Sequence, residues 1–153
     1  MSRYLSIYRA SRISKYTTVR HQVLRLDGVN TIHLDGDSFA PQQRRFLRTL
    51  SLRGSGVGDG LWSILPALEG LGTLSVSDIS VSSIPDFAFR RNAALQTVDL
   101  SSNAIGSLTQ RSVYGLAGSL AAISLHGNRI STVHQCTFYG FRSVHGPRAG
   151  QPS

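Results

Sequence analysis

Residues 95–116 read LQTVDLSSNAIGSLTQRSVYGL, and residues 120–141 read LAAISLHGNRISTVHQCTFYGF. Set one above the other, Leu95, Val98, Leu100, Asn103, Ile105, Leu108, Val113 and Leu116 fall on Leu120, Ile123, Leu125, Asn128, Ile130, Val133, Phe138 and Phe141, at a constant offset of 25. A step of 24 in the other direction gives Leu71, Leu74, Val76, Ile79, Val81, Ile84, Phe89 and Asn92, with Ile79 and Asn92 departing from the pattern. A further 24 gives Leu47, Leu50, Leu52, Ser55, Val57, Gly60, Leu65 and Leu68. Leu24, Leu26, Asn30, Ile32, Leu34 and Phe39 align as a fifth copy once one residue is inserted after Leu26 and two before Leu47.

Neither a 3.6-residue nor a 2-residue period reproduces this irregular spacing, so the repeat is a property of the fold rather than of one helix or strand. The form LxxLxLxxNxI, followed by apolar residues three, eight and eleven places on, resembles the leucine-rich repeat family over about residues 21–143. The length of 24 and the late Phe are similar to the kind common in animal extracellular and receptor proteins. The resemblance implies an α/β fold: a right-handed solenoid with a short parallel β-sheet on its concave face and mostly irregular or short helical convex segments. The corresponding division is a basic segment 1–20, repeats at about 21–46, 47–70, 71–94, 95–119 and 120–143, and a tail 144–153.

The physics of the pattern is legible on its own. In Leu-x-Leu, alternate side chains of a short strand point to one side, so Leu50 and Leu52, Leu74 and Val76, Val98 and Leu100, and Ile123 and Leu125 are expected to stack as columns of one core. Returning segments carrying Val57, Val81, Ile105 or Ile130, and then Leu65, Phe89, Val113 or Phe138, close each turn. At about 1.5–3 kcal/mol per buried apolar side chain, such a unit offsets its ordering entropy only with neighbours on both faces. Asn103 and Asn128 stand where the chain leaves the strand, and an amide there satisfies turn backbone groups. Ser55 and Ile79 do not serve this role equally, which predicts looser turns in those two repeats.

Strand residues between the inward leucines face solvent, and in an array they form a shared surface. Its rows read Val23, Thr49, Thr73, Thr97, Ala122; then Arg25, Ser51, Ser75, Asp99, Ser124; then Asp27, Arg53, Ser77, Ser101, His126. With Asp78, the polar members are the candidate partner-binding residues of the concave face. The rows hold no aromatic, so Arg25, Arg53 and His126 are the visible anchors.

Three constellations suggest chemistry and are weighed against it. Asp99, Ser124 and His126 have the residue types of a hydrolytic triad, but an open strand face offers no pocket and no oxyanion donors. Gly54, Gly56, Gly58 and Gly60 lie between a strand and an apolar run, yet match neither dinucleotide nor P-loop spacing and read as a softened turn. His126, His134 and Cys136 are metal-ligand types, but the first falls on the strand side and the others on the returning side. No catalytic residue, cofactor or metal is expected, and Cys136 is expected to be small and at least half-buried. Trp62, beside Leu61, Ile64 and Leu65, is expected to pack into the space left by Gly60; a surface anchor is the alternative.

Leu, Ile, Val and Phe make up 43 of 153 residues, enough for a folded core. The net charge of +8 is uneven: residues 1–53 hold ten Arg and Lys against three Asp, and residues 54–141 hold four Arg against five acids. The rival to a protein-binding module is therefore an anion binder, with Arg3 to Arg25 and Arg44, Arg45, Arg48 and Arg53 holding RNA or an acidic surface. Residues 1–26 contain six basic residues and no acid, a composition compatible with a mitochondrial presequence, while Leu5-x-Ile7 reads equally as the remnant of a repeat strand. The tail from Gly146 to Ser153 reads as disordered. With a single cysteine there is no disulfide cap, so an open end is expected to expose apolar core at Ile123 and Leu125. The chain is then a piece of a longer repeat protein, an intracellular adaptor, or a domain whose ends a partner covers. Family resemblance leans towards a receptor or matrix setting. The missing caps, the lack of a secretion signal and the lack of an Asn-x-Ser/Thr site lean against it. No apolar run reaches membrane-spanning length.

Overall fold

A computed structural model describes residues 4–7, 22–28, 39, 41–54 and 60–142. Alternation in the Leu-x-Leu segments produces the strands β1 (Tyr4–Ile7), β2 (Val23–Asp27), β3 (Thr49–Arg53), β4 (Thr73–Ser77), β5 (Thr97–Asp99) and, beyond the two-residue strand β6 (Ser107–Leu108), β7 (Ala122–Ser124). All six longer strands pair in parallel in the order β1-β2-β3-β4-β5-β7. The register aligns the repeat columns: Leu24, Leu50, Leu74, Val98 and Ile123 face one another in sequence, as do Arg25, Ser51, Ser75, Asp99 and Ser124. Leu5 and Ile7 stand opposite Leu24 and Leu26, so β1 extends the sheet by one strand. On the returning side, β6 pairs in parallel with β8 (Thr132–Val133).

Helix is confined to short pieces of the returning segments: α1 (Pro41–Phe46), α2 (Gly60–Ile64) and a 3₁₀ turn at Leu65–Ala67. The core runs continuously from Leu24 to Leu120 and joins the inward strand residues to Leu65, Phe89, Val113 and Leu116 from the returning side. Trp62 is partly buried against this core, edge-on to Phe89 with ring centroids 5.9 Å apart, which is the packing role expected of it. Among the described residues no helix is long and apolar enough to cross a membrane.

The columns fade at the last repeat. Ile123, Leu125, Ile130 and Phe141 are only partly buried, while Val133 is 52 % and Phe138 41 % exposed. Phe138 thus does not close its segment as Phe89 and Val113 close theirs, because no further repeat covers it among the described residues. Cys136 likewise departs from expectation: it is exposed, with φ of +64°. It stands at the place of Phe87 and Arg111 in the two preceding coils, and both of these are exposed as well, so this position of the turn faces outward in all three coils.

The asparagine turns differ from the sequence expectation in an instructive way. The Nδ2 of Asn103 donates to the carbonyls of Val76, Leu100 and Ser101, at 2.8, 3.0 and 3.0 Å. Its Oδ1 accepts from the backbone N–H of Ile79 and Val81, each at 3.2 Å. Asn128 repeats the motif one coil later, donating to Leu100 and Leu125 and accepting from Ile105. Each amide serves the turn of the preceding repeat as well as its own. The Ile79 turn is therefore not loose: Asn103 supplies the amide that Ile79 lacks, and Ile79 is buried. The turn expected to be loose at Ser55 lies outside the described residues.

A second column governs the exit from the strand. Gly28, Gly54, Asp78, Ser102 and Gly127 occupy equivalent places and all have φ between 54° and 69°. In this left-handed region glycine carries no steric cost, whereas Asp78 and Ser102 do. The N–H groups at these places donate across the array, for example Gly28 to Arg53 at 2.8 Å and Ser102 to His126 at 2.7 Å.

Candidate functional site

Because alternate residues of each strand are consumed by the core, the remaining ones are held in straight rows 24 to 26 residues apart in sequence. Of the candidate surface residues, Arg25, Arg53, Asp78, Thr97 and His126 are exposed. Asp27, Thr49, Ser51, Thr73, Ser75, Ser77, Asp99, Ser101 and Ser124 are partly exposed, and none of the fourteen is buried. Thr49, Thr73 and Thr97 stand in one row, and Ser51, Ser75, Asp99 and Ser124 in the next. Asp27 is opposite Arg53 in the register of β2 and β3.

Asp99 is opposite Ser124, so two of the three triad residue types are adjacent. The carboxylate, however, turns to its own chain: Asp99 Oδ1 accepts from the Ser101 N–H at 2.9 Å. No hydrogen bond joins Asp99, Ser124 and His126 among the described residues, and they stand on an open strand face. Gly54 takes the left-handed turn, while Gly56 and Gly58 lie outside the described residues. His126 follows β7, whereas His134 and the exposed Cys136 follow β8 on the other side of the coil. Among the described residues no three His, Cys, Asp or Glu side chains converge as a metal site.

The arginine cluster at the first end is divided. Arg25 and Arg53 project from the strand face, while Arg44 and Arg45 lie on α1. Arg44 Nε donates to the Phe39 carbonyl at 2.9 Å, and Arg48 Nη1 donates to the carbonyls of Arg45 and Gly70 at 3.1 and 3.0 Å. Arg44 thus braces its own returning segment, and Arg48 joins places a full turn of the chain apart.

Asn92, which breaks the apolar column, is fully buried and donates to the carbonyls of Leu65 and Leu68, at 2.8 and 3.0 Å. It ties off the helical turn of the preceding coil, a structural use of a residue that sequence reading left unexplained. Sequence reading also passed over the exposed aromatics of the returning side, Phe87, Tyr114 and Tyr139. Their signal was present, since Tyr114 and Tyr139 recur at the repeat offset of 25.

Compared with known protein families, residues 69–130 match the one described as leucine rich repeat. A comparison with curated proteins gave no match.

Proposed function

We propose, from the premise that this chain belongs to the leucine-rich repeat family, that it is a non-enzymatic protein-interaction module whose strand face is the contact surface. In this reading the repeats at about 21–46, 47–70, 71–94, 95–119 and 120–143 form a short right-handed solenoid, and the parallel sheet lines its concave side. The observation that carries the reading is the sheet itself: five aligned strands hold eleven polar side chains at fixed spacing, with Asp78, Ser101 and His126 just beyond them, and none of these is buried. The sheet presents Ser, Thr, Asp and Arg at fixed backbone spacing, the short Ser and Thr side chains losing little rotamer freedom on contact, and Arg25, Arg53 and His126 supply the anchors. In this reading the chain is part of a receptor or extracellular-matrix type of protein. Among the described residues no hydrogen-bonded triad joins Asp99, Ser124 and His126, which leaves enzyme chemistry little to work with on this face.

Photo-crosslinking tests the reading. A benzophenone amino acid placed at Ser75 should capture a protein partner, and the same group at Arg91, on the returning side, should not. Capture from Arg91 with none from Ser75 would overturn it.

A further inference from the structure

The polar rows of the strand face are not uniform in charge. β2 and β3 present Arg25 and Arg53, both exposed, against one carboxylate, Asp27. β4 and β5 present no base. Asp99 stands in the row of Arg25, and Asp78 directly follows Ser77, which is opposite Arg53. Among the described residues none of these five charged side chains is in an ion pair, and the pairs Arg91–Glu69 and Arg111–Asp86 lie away from the strands. Asp99 accepts from the Ser101 N–H, which fixes its carboxylate on the strand. Between Arg25 and Asp99 the row holds only the hydroxyls of Ser51 and Ser75.

That row has a length. Arg25 and Asp99 are three strand steps apart, about 14 Å at about 4.8 Å per step. An extended chain laid along the row rises about 3.3 Å per residue and turns alternate side chains to one face. Residues four apart in it span about 13 Å and both face the sheet, whereas residues three apart span about 10 Å and face opposite ways. The residue midway between them also faces the sheet and meets Ser51 and Ser75, where a small polar side chain finds hydrogen-bond partners. A second copy is a poorer occupant. A stable dimer interface is built around an apolar centre, and the only apolar members of these rows, Val23 and Ala122, stand at opposite ends of the face.

We propose that the strand face takes an extended segment of a partner protein, with a carboxylate over Arg25 and Arg53 and, four residues from it, a lysine or arginine over Asp78 and Asp99. The inference rests on the strand face being the contact surface, and adds the chemistry of what it contacts.

An NMR titration of the whole chain with the terminally blocked peptide Ser-Glu-Ser-Thr-Ser-Lys-Ser tests it. The control, Ser-Glu-Ser-Thr-Lys-Ser-Ser, has the same composition with its charges three residues apart. The first peptide shifts the backbone amides of β2 to β5 and binds at least about threefold more tightly than the control. Arg25→Gln and Asp99→Asn each weaken it about threefold, and added salt weakens it further. Asp99→Asn keeps an acceptor for the Ser101 N–H, so the turn is preserved. The loss in Asp99→Asn disappears when the peptide lysine is replaced by glutamine, and the loss in Arg25→Gln disappears when the peptide glutamate is replaced by glutamine. Arg90→Gln, on the returning side, changes nothing. Absent binding, equal binding of the two peptides, or losses that survive the peptide replacements overturn the proposal. So does a native dimer in sedimentation that Arg25→Gln dissolves, which would make a second copy the occupant. If the peptides fail while the crosslinker at Ser75 still captures a protein, the face remains a contact surface for a different chemistry; if Ser75 captures none, both readings fall.

Discussion

Replacing Asn103 by alanine strips five hydrogen bonds from two coils at once. The N–H groups of Ile79 and Val81 lose their acceptor, and the Val76 and Ser101 carbonyls lose a donor, while the Leu100 carbonyl keeps Asn128. Asn103 is only 8 % exposed, so water cannot readily take its place. At roughly 1–3 kcal/mol for each buried group left unpaired, the two N–H groups and the buried Val76 carbonyl give a loss of about 3–9 kcal/mol. That is a large share of the about 5–15 kcal/mol of a typical domain. Asn128→Ala provides the internal comparison: it removes three bonds from a partly exposed turn, and should cost about 1–2 kcal/mol. Urea unfolding followed by circular dichroism measures both. Asn103→Asp retains the acceptor but loses the donations and buries a charge, so it should also destabilise. A cost below about 1 kcal/mol for Asn103→Ala, or equal costs at the two asparagines, would refute the reasoning that one amide ties two coils together.

Three further outcomes are expected. Ser102→Gly relieves a left-handed residue in the exit column and should raise stability by about 0.5–1 kcal/mol in the same urea assay. Gly115→Ala places a Cβ 2.4 Å from the Phe89 carbonyl oxygen at φ of +101°, and should lower the melting temperature by several degrees, with a cost above about 2 kcal/mol. Cys136 is exposed, so a maleimide should label it in the folded chain as fast as in urea, and slow labelling would mean that the last turn is covered.

The sheet was legible because Leu-x-Leu alternation leaves the inward residues no other place to go, and the register reproduces the columns read from Leu50, Leu74 and Val98. The turn at Ile79 was misjudged because the sequence shows which residue occupies a turn but not which coil its amide serves. Asn103 reaches back 24 residues to supply Ile79. The left-handed column was half-visible in Gly28, Gly54 and Gly127 and concealed by Asp78 and Ser102, which adopt the same φ at a cost. Cys136 was placed wrongly because its place in the turn, shared with Phe87 and Arg111, faces outward, and a lone thiol carries no sign of that. The strand-face residues were readable as a set, since period-two alternation fixes which side they occupy. The exposed tyrosines were not, because Tyr114 and Tyr139 fall outside the eight apolar positions that define the repeat.

The stacking of the repeats is tested most directly by a distance between spin labels at Val23 and Ala122, with Cys136 replaced by Ser. These residues are 99 apart in sequence but stand at equivalent places on β2 and β7, four strand steps apart. At about 4.8 Å per step the backbones lie about 19 Å apart, so electron–electron resonance should give one narrow distribution a few ångströms on either side of that value. A broad distribution centred near the roughly 50 Å of an unstructured chain of that length would contradict the account.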